Sequence, residues 1–408
     1  MNRRTPICVL LGAYLWGSPV DAAELGPQVL RIEHSRALAL AQAAPALEAA
    51  RARAAETERA IDAAKVWPHN PWLRGRLGPR FGPAATTVDG FVAVEQRLEL
   101  GGQRGARVDA ARAGADAGQA RLADARRRLL REVSLSFAAA LYSGERVEIS
   151  QANLRLAEAI ARVARRRHEV GDVGGLEASV AELALVRARA DADRAAVAQG
   201  QASGRVAALL GLDPSLHIRC EGDLRALVPV SQAPVEIAAR PDLRALQADA
   251  KQAQAAERLG DARRVPDFSV GAQYIREGQD DVLRGTLGLT LPIFDRGQGE
   301  AAVARARKAR SEAELVAASR AAARETLTQR EAAVRLTQAE LRYEAGGLEL
   351  LASAERSATQ SYEAGAMPLG EVLTVRRELM LARAAYAELR FEAARARIEL
   401  AASAGDLK

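Results

Sequence analysis

The stretch PWLRGRLGPRFGPAATTVDGFVAVEQRLELGG, residues 71–102, is followed much later by PDFSVGAQYIREGQDDVLRGTLGLTLPIFDRG, residues 266–297. One constant shift along the chain brings Pro71 onto Pro266, Leu73 onto Phe268, Val94 onto Leu289 and Gln103 onto Gln298. The chain is a duplication. Each copy reads as two short alternating segments followed by a long stretch rich in Ala, Arg, Glu and Leu, the pattern of a β-hairpin feeding a long helical hairpin.

Period two is plain in the alternating segments. Leu283, Gly285, Leu287, Leu289, Leu291 and Ile293 share one face, with Arg284, Thr286, Gly288 and Thr290 on the other. In the first copy Val92, Val94, Leu98 and Leu100 oppose Glu95, Arg97 and Glu99, while Leu73, Gly75 and Leu77 oppose Trp72, Arg74 and Arg76. Such alternation suits a soluble sandwich, and equally a membrane barrel whose apolar side chains face lipid while polar ones line water. Counting narrows the choice. Four strands of about nine or ten residues approach the length that crosses a bilayer with tilt, yet a single-chain barrel needs about eight strands. Open edges in lipid leave backbone groups unpaired at high cost, so other copies of the chain must complete the sheet. The segments from Gly78 to Gly90 and from Glu277 to Asp281 are the expected outer turns, and Arg74, Arg76, Glu95, Arg97 and Glu99 the expected lining of the upper lumen. Mixed signs there imply little ion selectivity.

Outward from the hairpins the pattern changes period. A helix is expected from Ser35 to Val66 and another from Val235 to Arg264, each closed by proline, and Pro45-Ala-Leu-Glu-Ala matches Pro241-Asp-Leu-Arg-Ala one residue out of register with the hairpin shift. From Gly102 to His168 there is no proline, and Leu135, Tyr142, Ile149, Leu156, Val163 and Val170 recur as a coiled-coil seam. The second copy repeats it with Leu327, Val334, Leu341 and Leu348. Helices of this extent run to about 100 Å. Turns at Gly171-Asp172-Val173-Gly174-Gly175 and Gly365-Ala366-Met367-Pro368 send the chain back through Leu176, Val180 and Leu183 in one copy and Val372, Val375 and Leu379 in the other. The expected organisation is a signal peptide (1–22), a first repeat (23–230) and a second repeat (231–408), with strand hairpins at 71–101 and 266–295 and helical hairpins at 102–212 and 296–404. Alanine along the seams lets helices pack side by side into a wall.

Arg3 and Arg4, the uncharged run from Ile7 to Trp16, and the small residues Ala22 and Ala23 form a secretory signal. Nothing later approaches the roughly 20 apolar residues of a membrane helix. Cys8 leaves with the signal, so Cys220 has no partner and a disulfide framework is excluded. With 58 basic and 52 acidic residues interleaved for a net charge of +6, the charges read as solvated helix faces. The clusters Arg126-Arg127-Arg128 and Arg165-Arg166-Arg167 invite a nucleic-acid reading, which export disfavours. No nucleophile elbow, phosphate-binding loop or two-histidine zinc motif appears, and His34, His69, His168 and His217 are scattered. No catalytic residue, cofactor site or metal site is expected, because His217 and Cys220 alone fall short of the three or four ligands such sites use.

Several motifs resemble the outer-membrane efflux proteins, the TolC-like channels: Arg240-Pro241-Asp242-Leu243, Pro266-Asp267-Phe268, Leu291-Pro-Ile-Phe-Asp-Arg-Gly-Gln-Gly299 and Tyr362-Glu-Ala-Gly365. The run from Glu95 to Gly105 is most similar to the heavy-metal branch, the cobalt-zinc-cadmium outer-membrane components. The resemblance covers nearly the whole mature chain. It implies a mainly α protein with a small membrane β-barrel, a homotrimer whose twelve strands close one barrel in the outer membrane of a Gram-negative bacterium, and an α-barrel reaching through the periplasm. It also implies two protein partners, a periplasmic adaptor (membrane fusion protein) and an inner-membrane resistance-nodulation-division pump, with outer-membrane lipid around the barrel. By the same resemblance the tips Val170, Gly171, Asp172, Val173 and Ala364, Gly365, Ala366, Met367 meet the adaptor and gate a passive exit duct, although His168 stands where the second copy has Tyr362. Two other readings remain open: the channel of a protein or drug export system, and a periplasmic coiled-coil protein that never enters a membrane.

Overall fold

The computed structural model describes residues 29–83, 86–229, 236–405 and 407. The expected signal peptide and the expected boundary between the repeats lie outside the described residues. In chain order the elements are β1 (Val29–Glu33), α1 (His34–Gln42), α2 (Glu48–Lys65), β2 (Trp72–Phe81), β3 (Thr86–Leu98), α3 (Gln103–Glu169), α4 (Gly175–Leu210), β4 (His217–Glu221), α5 (Pro241–Ala262), β5 (Asp267–Glu277), β6 (Asp280–Thr290), α6 (Gln298–Glu363) and α7 (Leu369–Ala404).

The two long helices are the frame. α3 has 67 residues and α6 has 66, each about 100 Å of uninterrupted helix. Near the sheet they pack beside the shorter α2 and α5; towards the tips they pack beside α4 and α7, and α3 also touches α7. The second half is thus laid beside the first as a wall in the order α4, α3, α7, α6. Small residues set the spacing: a Cβ on Gly118 would meet Thr57 Oγ1 at 2.2 Å, and one on Gly260 would meet the backbone N of Ala301 at 2.8 Å. Phe137, Leu130 and Val133 of α3 form the main core at the waist with Ile32 of β1, Val206 of α4, Ile218 of β4 and Ile398 of α7. A second cluster near the tips joins Ala157, Ile160 and Ala161 of α3 to Leu185 of α4 and Leu369 and Val372 of α7.

The four long strands make one antiparallel sheet in the order β2, β3, β5, β6. Leu73 sits opposite Val94, Val94 opposite Ala272, and Ala272 opposite Gly285, so one face runs straight across both hairpins. The β3–β5 pairing joins the two repeats.

Three expectations need correction, and one pair of strands was not expected at all. The first helix is not continuous, because Pro45 cannot donate a helical hydrogen bond and Ala44 before it is extended at ψ 142°; a 3-10 turn over Pro45–Leu47 separates α1 from α2. In the second copy Pro241 opens α5, at the helical position where a missing N–H is harmless, and a separate 3-10 turn over Ile237–Ala239 precedes it. The first outer turn is shorter than expected. β2 continues through Gly78 and Pro79 to Phe81, which suits a strand at the sheet's edge, where proline is tolerated. Finally, β1 and β4 form a parallel pair, Val29 opposite His217 and Ile32 opposite Cys220, that no sequence pattern announced.

Candidate channel surfaces

The sheet presents two unlike faces. On one, Leu73, Leu77, Val92, Val270, Leu283 and Leu287 stand free, with Leu77 80% and Leu283 79% exposed. That apolar band continues past β6 through Leu291 and Ile293 to Phe294, 91% exposed. A contiguous patch of this kind marks contact with lipid or protein. β2 and β6 each pair on one side only, leaving two open edges.

The opposite face is polar and largely self-paired. Arg74 reaches Glu95 at 3.3 Å, Arg97 reaches Asp267 at 2.6 Å, and the Arg76 guanidinium lies 5.4 Å from the Phe91 ring centroid. These four of the five expected lining residues share the face. Glu99 does not belong with them, because it falls beyond the end of β3 and both its oxygens accept from Arg107 of α3, at 2.7 and 2.8 Å; the carboxylate is 8% exposed and ties strand to helix.

At the far end, both tips turn on a glycine with positive φ, 79° at Gly171 and 70° at Gly365. The Asp172 N–H returns to Arg167 O at 2.8 Å and the Ala366 N–H to Ser361 O at 2.9 Å, the helix-ending motif that only a left-handed residue completes without strain. Val170 is exposed, while Met367 is half-buried against the second apolar cluster. Each expected tip set is therefore contiguous in space, and the two differ in what covers them.

The polar groups that sequence reasoning missed lie inside the wall. Arg397 of α7 and Glu340 of α6, each 2% exposed, pair at 3.0 Å, and Arg390 joins Glu145 of α3 at 2.5 Å beside them. Burial in that cluster pushes the Glu145 carboxyl above its usual range, against the pull of Arg390. Nearer the tips, Arg376 of α7 bonds Asn153 of α3 at 2.8 Å. No sequence signal separates these from the many exposed Arg and Glu on the same helices; only the packing does.

Other chemistry-bearing residues are structural. His34 Nε2 lies 3.0 Å from Ser134 Oγ, but Ser134 is fully buried inside α3 and no substrate could reach it; burial pushes the imidazole down, opposed by a hydrogen bond with the Leu227 backbone. His217 and Cys220 point to opposite faces of β4 and cannot share an ion, and burial pushes the Cys220 thiol up to about 12. Among the described residues no cluster of three or more His, Cys, Asp or Glu could hold a metal, and no helix is long and apolar enough to cross a membrane. The basic clusters are partly neutralised within the chain, Arg127 and Arg128 by Asp124 and Arg165 by Glu182.

Residues 34–212 and 234–406 match the family described as outer membrane efflux protein. The chain is 30% identical over 302 residues to the cobalt-zinc-cadmium resistance protein CzcC of Cupriavidus metallidurans, covering 71% of this chain and 70% of that one. It is 28% identical over 345 residues to the nickel-cobalt-cadmium resistance protein NccC of Alcaligenes xylosoxydans xylosoxydans, covering 82% and 78%. Among solved structures, CusC superposes with a TM-score of 0.75 at 19% identity over 91% of each chain. VceC from Vibrio cholerae gives 0.74 at 19% identity, over 91% of this chain and 96% of that one. At such identities the structural matches speak for the fold.

Proposed function

The chain belongs to the outer membrane efflux protein family, and from that premise we infer that it is the outer-membrane channel of a tripartite efflux system, passing heavy-metal cations out of the cell. The observation that carries the reading is the sheet: an apolar face left free, a polar face opposite, and an open edge on each side. One chain leaves those edges unpaired. Lipid will not tolerate them, so three copies close one barrel, with Arg74, Arg76, Glu95 and Arg97 towards its water-filled interior.

The helical wall supports the same assembly. Leu327, Val334 and Leu341 of α6 and Val186 and Val197 of α4 are exposed on the wall's two outermost helices. Setting the α6 edge of one copy against the α4 edge of the next is a head-to-tail contact, which closes into a ring when the rotation allows it. The tips at Val170–Val173 and Ala364–Met367 then surround the periplasmic mouth, meet the adaptor and open when it docks. An inner-membrane pump of the resistance-nodulation-division type supplies the energy. The channel itself performs no covalent step, and metal cations are its cargo, not a resident cofactor.

The decisive experiment deletes the gene in a Gram-negative host and measures growth on cobalt, zinc, cadmium and nickel beside dyes and antibiotics. Sensitivity to the metals, reversed by the wild-type gene, is the expected result. Unchanged metal sensitivity, or a mature product extracted without detergent as a monomer, overturns the reading.

A further inference from the structure

Arg376 carries a charge that no carboxylate among the described residues pairs with. Only 8% of the residue is exposed. Its Nε donates to Asn153 Oδ1 at 2.8 Å, and Nη2 donates to the Asn153 carbonyl at 2.7 Å and again to Oδ1. Both acceptors are neutral. Among the described residues no carboxylate forms an ion pair with it, and burial is the one influence that moves its proton affinity, downwards. A guanidinium keeps its charge in proteins, and a buried charge left unpaired is strongly unfavourable.

The charge is walled but not sealed. Arg376 lines a groove of about 860 Å³ that runs between α4 and α7 over α3. That lies within the roughly 300–1,000 Å³ of small-molecule sites. Arg146, Arg187 and Arg377 also line it, and none of them makes an ion pair among the described residues. The one carboxylate in the lining, Asp191, is taken by Arg194 at 2.9 Å. Between the cations the walls are apolar, with Ile149, Val180, Leu183 and Leu381.

We propose that this groove binds a small anionic amphiphile, its carboxylate paired with Arg376 and its aliphatic tail laid against Ile149, Val180 and Leu183. The unequal exposure of the cations selects a slender ligand. Arg146, Arg187 and Arg377 are exposed while Arg376 is buried in the same lining. A helix about 10 Å across would rest on the exposed arginines, whereas a single acyl chain reaches Arg376. An occupant would touch α3, α4 and α7 together and so tie the first helical hairpin to the second. The groove is complete within one chain and does not depend on the assembly proposed above.

The test is photolabelling of the full mature chain in nonionic detergent with dodecanoate bearing a diazirine in its tail, against the matching uncharged alcohol. Labelled residues are mapped by mass spectrometry. The acid is expected to label Val180–Ala198 and Leu373–Ala384 in the wild type, about tenfold above the alcohol, the worth of one charge-assisted bond. Arg376→Met should remove the difference. Because that variant could also disturb packing, Asn153→Asp is the sharper probe: it gives Arg376 an internal carboxylate, so the protein should hold its melting temperature while acid labelling falls to the alcohol's level. Undiminished labelling in Asn153→Asp, equal labelling by acid and alcohol in the wild type, or labelling of the wild type only outside the groove overturns the proposal.

Discussion

At the first tip, side chains close a clasp over the glycine turn. Arg167 Nε reaches Asp172 Oδ2 at 2.5 Å, Arg167 also approaches Glu177, and His168 Nδ1 lies 3.1 Å from Val173 O. At the second, the backbone turns in the same way, but no described side-chain hydrogen bond or ion pair bridges Ala364 to Pro368; Met367, Leu369 and Val372 are instead packed on Ala157, Ile160 and Leu185 of the first hairpin. The first tip is therefore held within its own hairpin and the second by its neighbour. Separating the hairpins would release the second and leave the first intact, so in the gating proposed above the moving part is α6 and α7.

Further up the wall the second hairpin is fastened by charge. Glu340 and Arg397 are both buried and paired at 3.0 Å, with Arg390 close by. Removing one partner of such a pair costs about 3–5 kcal/mol. Glu340→Ala should therefore destabilise the protein by that much in urea or thermal unfolding. Asp191→Ala, which breaks the exposed pair with Arg194, should change stability by less than about 1 kcal/mol. Equal effects would mean that the buried pair fixes the root of the second hairpin no better than an exposed pair on α4 fixes the first, and a firmly held root would lose its basis.

A middle-sized effect separates the tips directly. Gly171 and Gly365 have open space where a Cβ would go, so valine at either meets only backbone strain, about 1–3 kcal/mol. The local cost is shared. The consequence should differ, because the clasp can hold the first turn together while the second relieves its strain by lifting off the neighbouring hairpin. Gly365→Val is expected to abolish metal resistance with cross-linkable trimers still present, and Gly171→Val to retain most of it. Equal losses of resistance would make the clasp irrelevant, and full resistance in Gly365→Val would remove that tip from gating.

What the sequence made legible follows the range over which each signal acts. The repeat, the strand periodicity at Leu283–Leu289, the proline-free helices and the tip glycines are local patterns, and the structure places each element accordingly. The β1–β4 pair escaped because each strand has five residues and its partner lies almost two hundred positions away. Pro79 reads as a turn residue because nothing local reveals that β2 is the edge of the chain's own sheet. Glu99 continued the charged side of β3 in the sequence, and only the return of α3 with Arg107 takes it out of the lining. The buried Glu340, Arg376 and Arg397 are invisible for another reason. On helices where Arg and Glu recur at nearly every turn, the helix that covers them decides which become interior, and that is a tertiary fact.

The smallest expected effect tests the clasp alone. Arg167 and Asp172 are both partly exposed, so their pair contributes about 1 kcal/mol or less to stability, and Arg167→Ala should leave global unfolding unchanged within error. Local opening is more sensitive, since a segment with few buried contacts exchanges its amide hydrogens through small fluctuations that a single exposed bond can bias. In Arg167→Ala the amides of Gly171 to Gly174 should exchange several-fold faster in the isolated channel. Those of Gly365 and Ala366, which Arg167 does not touch among the described contacts, should not change. Acceleration at both tips would show that they open as one body, and the division between a fixed first hairpin and a moving second would then have to be abandoned.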